Sequence, residues 1–157
     1  MNRVALLIGG NQGDRQALLK QATGLIRERI GTVALASSIY ETEPWGTFDD
    51  DMPQNFLNQA LLVETSLTAE EALHEALAIE KELGRFRIIK RPKAYQSRPM
   101  DIDLIFFNNE VIDTPDLQIP HPCMHLRRFV LEPIAEIMPD YRHPLLGRTV
   151  TELLSAL

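Results

Sequence analysis

Asp101 and Asp103 stand two residues apart in the run Met100-Asp101-Ile102-Asp103-Leu104-Ile105-Phe106-Phe107. On a strand, alternate residues face the same side, which sets these carboxylates side by side, roughly 6–7 Å apart at their Cα atoms. Two like charges that close repel, and a divalent cation relieves the repulsion. Mg²⁺ suits such a pair, because it takes one or two carboxylates and completes its octahedron with water and phosphate oxygens. The competing reading is an edge strand whose polar face meets solvent. Just upstream, Gly84 to Arg98 holds six basic residues (Arg85, Arg87, Lys90, Arg91, Lys93 and Arg98) and no acidic one. Arginine forks grip phosphate oxygens in pairs and lysine adds a point charge. A carboxylate pair beside such a loop points to phosphoryl-type transfer rather than hydrolysis of sugars or peptides. Taken alone, the basic run is more simply a solvated surface loop.

Other residues join this constellation with less force. His121 lies between Pro120 and Pro122; two prolines stiffen the backbone around it, so its ring can be aimed at phosphates. His74, His125 and His143 have no comparable context. The segment Gly9-Gly10-Asn11-Gln12-Gly13 lacks the Lys-Ser/Thr of a P-loop and the glycine spacing of a dinucleotide fold. It reads as a tight strand-to-helix turn, with Asn11 bracing a neighbouring loop. Trp45, Phe56, Tyr95 and Phe129 supply rings that can pack a flat molecule, and Asn58 offers amide donors and acceptors to a heterocycle edge. Spacing alone makes Phe56 and Phe129 core residues, whereas Trp45 and Tyr95 fall in loops, where large aromatics more often bind.

The elements that must position these groups follow from pattern. Residues 3–8 are an apolar buried strand. Asp14 starts a helix whose apolar positions (Leu18, Leu19, Ala22, Leu25, Ile26 and Ile30) recur at helical spacing, and Gly31 ends it. Residues 32–43 and 56–65 read as strands, joined by a long polar connection. Thr68-Ala69-Glu70-Glu71 is a capping box opening a second helix, with Leu73, Ala76, Leu77 and Glu80 along one side and Gly84 at its stop. After the basic loop comes the aspartate strand to Phe107, with residues 110–112 pairing back as a short hairpin. Residues 124–137 and 149–157 read as short helices, the first interrupted at Pro133. Strand, helix, strand, strand, helix, strand is the order of an α+β ferredoxin-like two-layer sandwich, a βαββαβ core with a C-terminal extension. Its helices lie on one sheet face and the other face is partly free.

Composition bounds the function. With 157 residues, 45% hydrophobic and 24% charged, the chain is expected to form a single domain, 1–157, with a real core. The apolar run Val4–Ile8 is far too short to span a bilayer and no signal-peptide cleavage pattern follows it. The only cysteine, Cys123, allows no internal disulfide and fits a reducing cytoplasm. A net charge of −6 disfavours generic nucleic-acid binding, which depends on phosphate neutralisation. The expected partners are therefore small molecules, with no membrane and no nucleic acid, and the chain is expected to act as a monomer.

Several pieces, in order, match one family. They are Ile8-Gly9-Gly10-Asn11, Tyr40-Glu41-Thr42-Glu43-Pro44-Trp45-Gly46, Phe56-Leu57-Asn58, Ile79-Glu80 with Gly84-Arg85, Arg98-Pro99-Met100-Asp101-Ile102-Asp103-Leu104-Ile105, and Ile119-Pro120-His121-Pro122 with Arg127 and Phe129-Val130-Leu131. On these residues the chain resembles the 6-hydroxymethyl-7,8-dihydropterin pyrophosphokinases of folate synthesis, over nearly its whole length. The resemblance implies transfer of pyrophosphate from ATP to the pterin hydroxyl by in-line attack at the β-phosphorus, with release of AMP. It implies that Asp101 and Asp103 bind two Mg²⁺ ions, that Arg85 and Arg98 act with them in catalysis, and that Glu80, Arg87, Arg98, His121 and Arg127 bind ATP. It further implies a pterin site of Thr42, Trp45, Phe56, Asn58, Tyr95 and Phe129, in which Phe56 and Phe129 sandwich the ring and Asn58 reads its polar edge. Segments 10–15, 43–55 and 85–98 are implied to be mobile loops. The chain departs from the family pattern in carrying Tyr95-Gln96-Ser97-Arg98 where Trp-Gly-Pro-Arg is usual, and in Asp116 and Cys123.

Two other readings compete on the residues. A nonenzymatic nucleotide-sensing module could use the basic loop but does not need Asp101 and Asp103. An RNA-binding module of similar element order requires exposed aromatics on the central strands and a basic sheet face.

Overall fold

The computed structural model describes residues 1–43, 54–84 and 99–157. Strand β1 (Asn2–Gly10) leads into helix α1 (Arg15–Arg29), then β2 (Thr32–Ala36), β3 (Tyr40–Thr42), β4 (Phe56–Thr65), α2 (Ala69–Glu82) and β5 (Asp101–Phe107). A small hairpin of β6 (Ile112–Asp113) and β7 (Gln118–Ile119) follows, then a 3₁₀ turn (Met124–Leu126), α3 (Arg128–Ile137) and α4 (Val150–Ser155). The main sheet runs β2-β4-β1-β5, with β3 also on β4, and its paired neighbours are antiparallel. Each of α1 and α2 thus joins two strands that flank a third, which is the ferredoxin-like arrangement expected.

The two main helices form where local chemistry starts and stops them. The Asp14 carboxylate accepts from the Ala17 amide at 3.2 Å, and the Ile30 and Gly31 amides both return to the Ile26 carbonyl. Gly31 passes so close to β4 that a Cβ there would lie 2.0 Å from the Glu64 carbonyl oxygen. Thr68 and Glu71 make a complete capping box at α2, satisfying two amide groups that have no helical partner. Leu19, Ala22 and Ile26 of α1 and Ala72, Ala76 and Ile79 of α2 pack on Val4, Leu6, Ile8, Leu61, Val63, Ile102 and Leu104. Each fully buried Leu or Ile stabilises by roughly 1.5–3 kcal/mol.

The opposite face is more covered than the element order suggests. Val130, Leu131 and Ile134 of α3, with Val150 and Leu153 of α4, close over Ala5, Leu7, Ala60, Ile105 and Phe106. The sheet serves both cores because of a bulge: Leu6 pairs with Leu104 but Ala5 pairs with Phe106, leaving Ile105 as an extra residue. That insertion turns Ile105 and Phe106 to the same side. The second core ends at Leu7 and Ala60, and the rows beyond it carry Gly9, Asp101, Asn58 and Phe56.

Three expectations need correction. Residues 32–43 form two strands, because Ser37 turns its hydroxyl into the ladder and accepts the Ala60 amide at 2.9 Å. Residues near 112 pair with β7 and not back onto β5. The helical run 124–137 breaks at Arg127, whose backbone is extended, whereas Pro133 sits inside α3. Pro133 removes one helical amide there and crowds the carbonyl four residues back, but it does not end this short helix.

Candidate active site

The aspartate strand faces as predicted. Asp101 pairs with Gly9 and Asp103 with Leu7, so both carboxylates rise from the face that carries the second core, Asp103 in its last row and Asp101 just beyond. Gly9 in turn pairs with Asn58, and Asn58 with Tyr40. One row across four strands therefore reads Asp101, Gly9, Asn58, Tyr40. Beside it, Phe56 pairs with Thr42. Asp101 and Asn58 lie two strands apart, roughly 10 Å, with only a glycine between them. The Asn58 amide uses that opening: a Cβ on Gly9 would stand 2.3 Å from Asn58 Oδ1.

On the outer edge of β5 the carboxylates border a cleft of about 440 Å³, lined among others by Leu73, Glu80, Asp101, Asp103, Leu117 and His121. Glu80 is buried, and its Oε2 accepts the backbone amide of Ile102 at 2.6 Å. Ile102 is the residue between the two aspartates, so the edge strand that carries them is tied by a carboxylate from α2.

His121 is fixed from both ends of its residue. Its amide donates to the Ile105 carbonyl at 3.1 Å, and its Nδ1 accepts the Cys123 amide at 3.4 Å. That acceptor role leaves the proton of the neutral ring on Nε2. Burial pushes the imidazole below its usual value of 6.5, the Arg127 charge pushes the same way, and Asp101 opposes them. His121 is thus a neutral donor near pH 7, within electrostatic reach of both Arg127 and Asp101. The Arg127 guanidinium carbon lies 5.7 Å from the centre of the Phe129 ring, at the start of α3. The Ile119–Pro120 peptide just ahead is cis.

The turn after β1 braces the far side. Asn11 is buried and donates through Nδ2 to the Gln54 carbonyl at 3.2 Å, as expected for that residue. Arg15 donates to the Asn55 carbonyl at 2.8 Å and lies 3.6 Å from Glu41, which also accepts from Asn55 Nδ2. These contacts fix the start of β4, and hence Phe56 and Asn58.

Of the sequence-predicted site residues, the fold brings Glu80, Asp101, Asp103 and His121 to one cleft. Thr42, Phe56 and Asn58 share the neighbouring strands, and Arg127 and Phe129 stand at the head of α3. Trp45, Arg85, Arg87, Tyr95 and Arg98 lie outside the described residues, as do most of the segments 43–55 and 85–98. Sequence reasoning missed three features. Gly9 was read only as part of a turn. Leu73 and Leu77 were read as a packed helix stripe, yet both line the cleft and Leu77 is 44% exposed. Leu117, in the β6–β7 hairpin, forms the facing wall; no local pattern marked it.

Comparison with known proteins gives the family and the fold. The family model for 7,8-dihydro-6-hydroxymethylpterin-pyrophosphokinase (HPPK) matches residues 5–139. The 2-amino-4-hydroxy-6-hydroxymethyldihydropteridine pyrophosphokinase of Bacillus subtilis is 43% identical over 139 residues, covering 87% of this chain and 79% of the relative. The protein of the same name from Methylorubrum extorquens is 37% identical over 158 residues, covering 100% of this chain and 94% of the relative. Among solved structures, the wild-type Plasmodium falciparum HPPK-DHPS superposes with a TM-score of 0.75 at 18% identity. It covers 99% of this chain and 41% of its own, so this chain spans less than half of that protein. The chain belongs to the 7,8-dihydro-6-hydroxymethylpterin-pyrophosphokinase family.

Proposed function

We propose that this protein transfers a pyrophosphoryl group from ATP to 6-hydroxymethyl-7,8-dihydropterin, releasing AMP, as a step of folate synthesis. Family membership supports the reaction. The observation that carries it on this chain is the strand register, which sets Asp101 and Asp103 on one sheet face with Asn58, Phe56 and Thr42. A charge-handling end and a ring-reading end then lie roughly one bicyclic ring apart.

The donor set fits Mg²⁺. Two carboxylates on a strand anchored by Gly9 and Glu80 face an open cleft, and hard oxygen ligands are what Mg²⁺ takes. Mg²⁺ characteristically takes one or two carboxylates and fills its remaining positions with water and substrate phosphate oxygens. Asp101 and Asp103 would hold two such ions, which would supply positive charge to offset that of the ATP phosphates.

The protein's own groups do the rest by positioning and charge. In this reading His121 donates from Nε2 to a phosphate oxygen, and Arg127 adds a fixed positive charge beside it. Arg85, Arg87 and Arg98 grip the phosphates from the basic segment, and Arg85 and Arg98 offset charge that grows at the reacting phosphorus. Leu73 and Leu117 offer apolar walls for a flat base, and Glu80 holds the wall between them. Asn58 pairs with the polar edge of the pterin, Phe56 and Phe129 hold its faces, and Thr42, Trp45 and Tyr95 complete the site. The hydroxymethyl oxygen attacks the β-phosphorus in line. The bond from that phosphorus to the oxygen shared with the α-phosphorus breaks, AMP leaves with that oxygen, and the hydroxyl proton is released, with Asp101 as its acceptor in this reading.

We read the chain as one domain, 1–157, acting as a monomer in the cytoplasm on small molecules rather than on nucleic acid. The net charge of −6 and the α3–α4 cover over the sheet face both count against an RNA-binding sheet. Among the described residues no helix is long and apolar enough to cross a membrane. The test is turnover with ATP, Mg²⁺ and the pterin, separating AMP from ADP. Pterin-dependent AMP supports the proposal. ADP would make this an ordinary kinase, and ATP binding without any product would favour a nucleotide-sensing module.

A further inference from the structure

Away from the cleft, Tyr40 of β3 and Ser38 just before it meet around one carboxylate of α3. Glu136, near the C-terminal end of α3, accepts the Tyr40 hydroxyl through Oε1 at 2.7 Å. Through Oε2 it accepts the Ser38 amide at 2.9 Å and the Ser38 hydroxyl at 3.2 Å. Nothing in the reaction as described above uses this group.

Its place in the fold gives it a use. Glu136 and Phe129 are seven residues apart on α3, which puts them on the same helix face, roughly 10 Å apart along the axis. Tyr40 and Thr42 belong to β3, a three-residue edge strand held by its pairs with Asn58, Leu57 and Phe56. The clasp therefore joins the helix that carries Phe129 to the strand that carries Thr42 and flanks Asn58. Hydrophobic burial already docks α3, through Val130, Leu131 and Ile134. Such contacts are non-directional and leave the roll and tilt of a short helix loosely set. Three hydrogen bonds to one carboxylate, the shortest from the Tyr40 hydroxyl at 2.7 Å, are directional. The bonding holds the Glu136 carboxyl below its usual range, chiefly through the Tyr40 hydroxyl and next through the Ser38 amide, so the clasp is charged at neutral pH.

We propose that Glu136 is a positioning residue for the pterin site: by gripping Tyr40 and Ser38 it sets the roll of α3 and the lie of β3, and so the gap in which Phe129 faces Phe56 and Asn58. This rests on the assignment of those three residues to the pterin under the proposed function. Glu136 touches no substrate in this account.

The test uses the full chain and two affinities. The nucleotide is probed with a non-hydrolysable ATP analogue and Mg²⁺, and the pterin by titration in the presence of that analogue. Glu136→Ala is expected to weaken pterin binding on the order of tenfold while the analogue binds within about twofold of the parent. Glu136→Gln, which keeps an acceptor oxygen, is expected to recover most of the loss. Tyr40→Phe removes the same contact without touching α3 and keeps the test available if Glu136→Ala folds poorly; combined with Glu136→Gln it is expected to add less than the sum of the two. Unchanged pterin affinity in Glu136→Ala and Tyr40→Phe overturns the inference. So does parallel loss of both affinities with a lowered melting temperature, which would make the clasp merely structural. Failure of the parent protein to bind the pterin at all would instead overturn the proposed function, and this inference with it.

Discussion

Gly9 and Asn58 are register partners on β1 and β4, and the Asn58 amide occupies the space that a Gly9 side chain would fill. A Cβ at Gly9 would meet Asn58 Oδ1 at 2.3 Å and the Leu57 carbonyl oxygen at 2.4 Å. Both distances are far inside contact, and the second involves backbone that cannot swing away. Gly9→Ala is expected to destabilise by about 1–3 kcal/mol through overpacking and to displace the Asn58 amide. Denaturant melts should show the first effect. Pterin titration should show weakened binding, with ATP-analogue affinity largely kept. A fully stable variant with parental pterin affinity would mean that the row tolerates a side chain at its centre.

The carboxylate pair gives the sharpest activity prediction. Asp101→Asn and Asp103→Asn keep size and strand pairing but remove the charge that would hold Mg²⁺. Each is expected to lower Mg²⁺-dependent turnover by on the order of 10²-fold or more with an unchanged melting profile in the absence of ligand. Turnover measured across a Mg²⁺ titration checks this. Full activity in either variant would remove the proposed metal site.

Glu80 separates position from charge. Glu80→Ala strips the buried Ile102 amide of its acceptor, and an unsatisfied buried amide costs about 1–3 kcal/mol. It also frees the aspartate strand between its two aspartates. Stability and Mg²⁺ affinity should fall together. Glu80→Gln retains an acceptor oxygen and should restore most of the stability. If Gln proves as damaging as Ala, the negative charge of Glu80, and not its grip on Ile102, is what matters.

The element order, both main helix caps and the facing of the aspartates were legible because each rests on neighbours in sequence. Alternation places Asp101 and Asp103, and Thr68 and Glu71 lie three residues apart. What was not legible depends on residues distant in the chain. The break between β2 and β3 follows from a hydroxyl on Ser37 reaching Ala60. The cover of the second sheet face depends on a bulge at Ile105. Glu80 meets Ile102 across 22 positions and Glu136 meets Tyr40 across 96. The use of Leu73 and Leu77 as cleft wall was hidden because a helix stripe that lines a cleft has the same spacing as one that packs on a sheet.

Stability should peak between about pH 6.5 and 10. On the acid side, His121 and His143 are both pushed below their usual value of 6.5, chiefly by burial. The unfolded chain takes up those protons more readily, so stability falls as pH drops below 6.5. Glu136 and Glu152, held below 4.5 by hydrogen bonds, extend the loss further down. On the alkaline side, Tyr40 is pushed up to about 12 by its bond to Glu136 and Tyr141 to about 12 by burial, from the usual 10. Their contribution is complete below pH 10 and is lost as pH rises toward 12. Denaturation midpoints from pH 5 to 11.5 should trace this plateau, and Tyr40→Phe should flatten the alkaline limb. An alkaline limb unaffected by that change would place its origin elsewhere.

The most direct test of the central claim is to follow which phosphorus moves. ATP labelled at the β-phosphorus is incubated with the protein, Mg²⁺ and 6-hydroxymethyl-7,8-dihydropterin, and the products are separated. Pyrophosphoryl transfer puts the label on the pterin, together with unlabelled AMP in equal amount. Label recovered in ADP, with none on the pterin, would contradict pyrophosphoryl transfer.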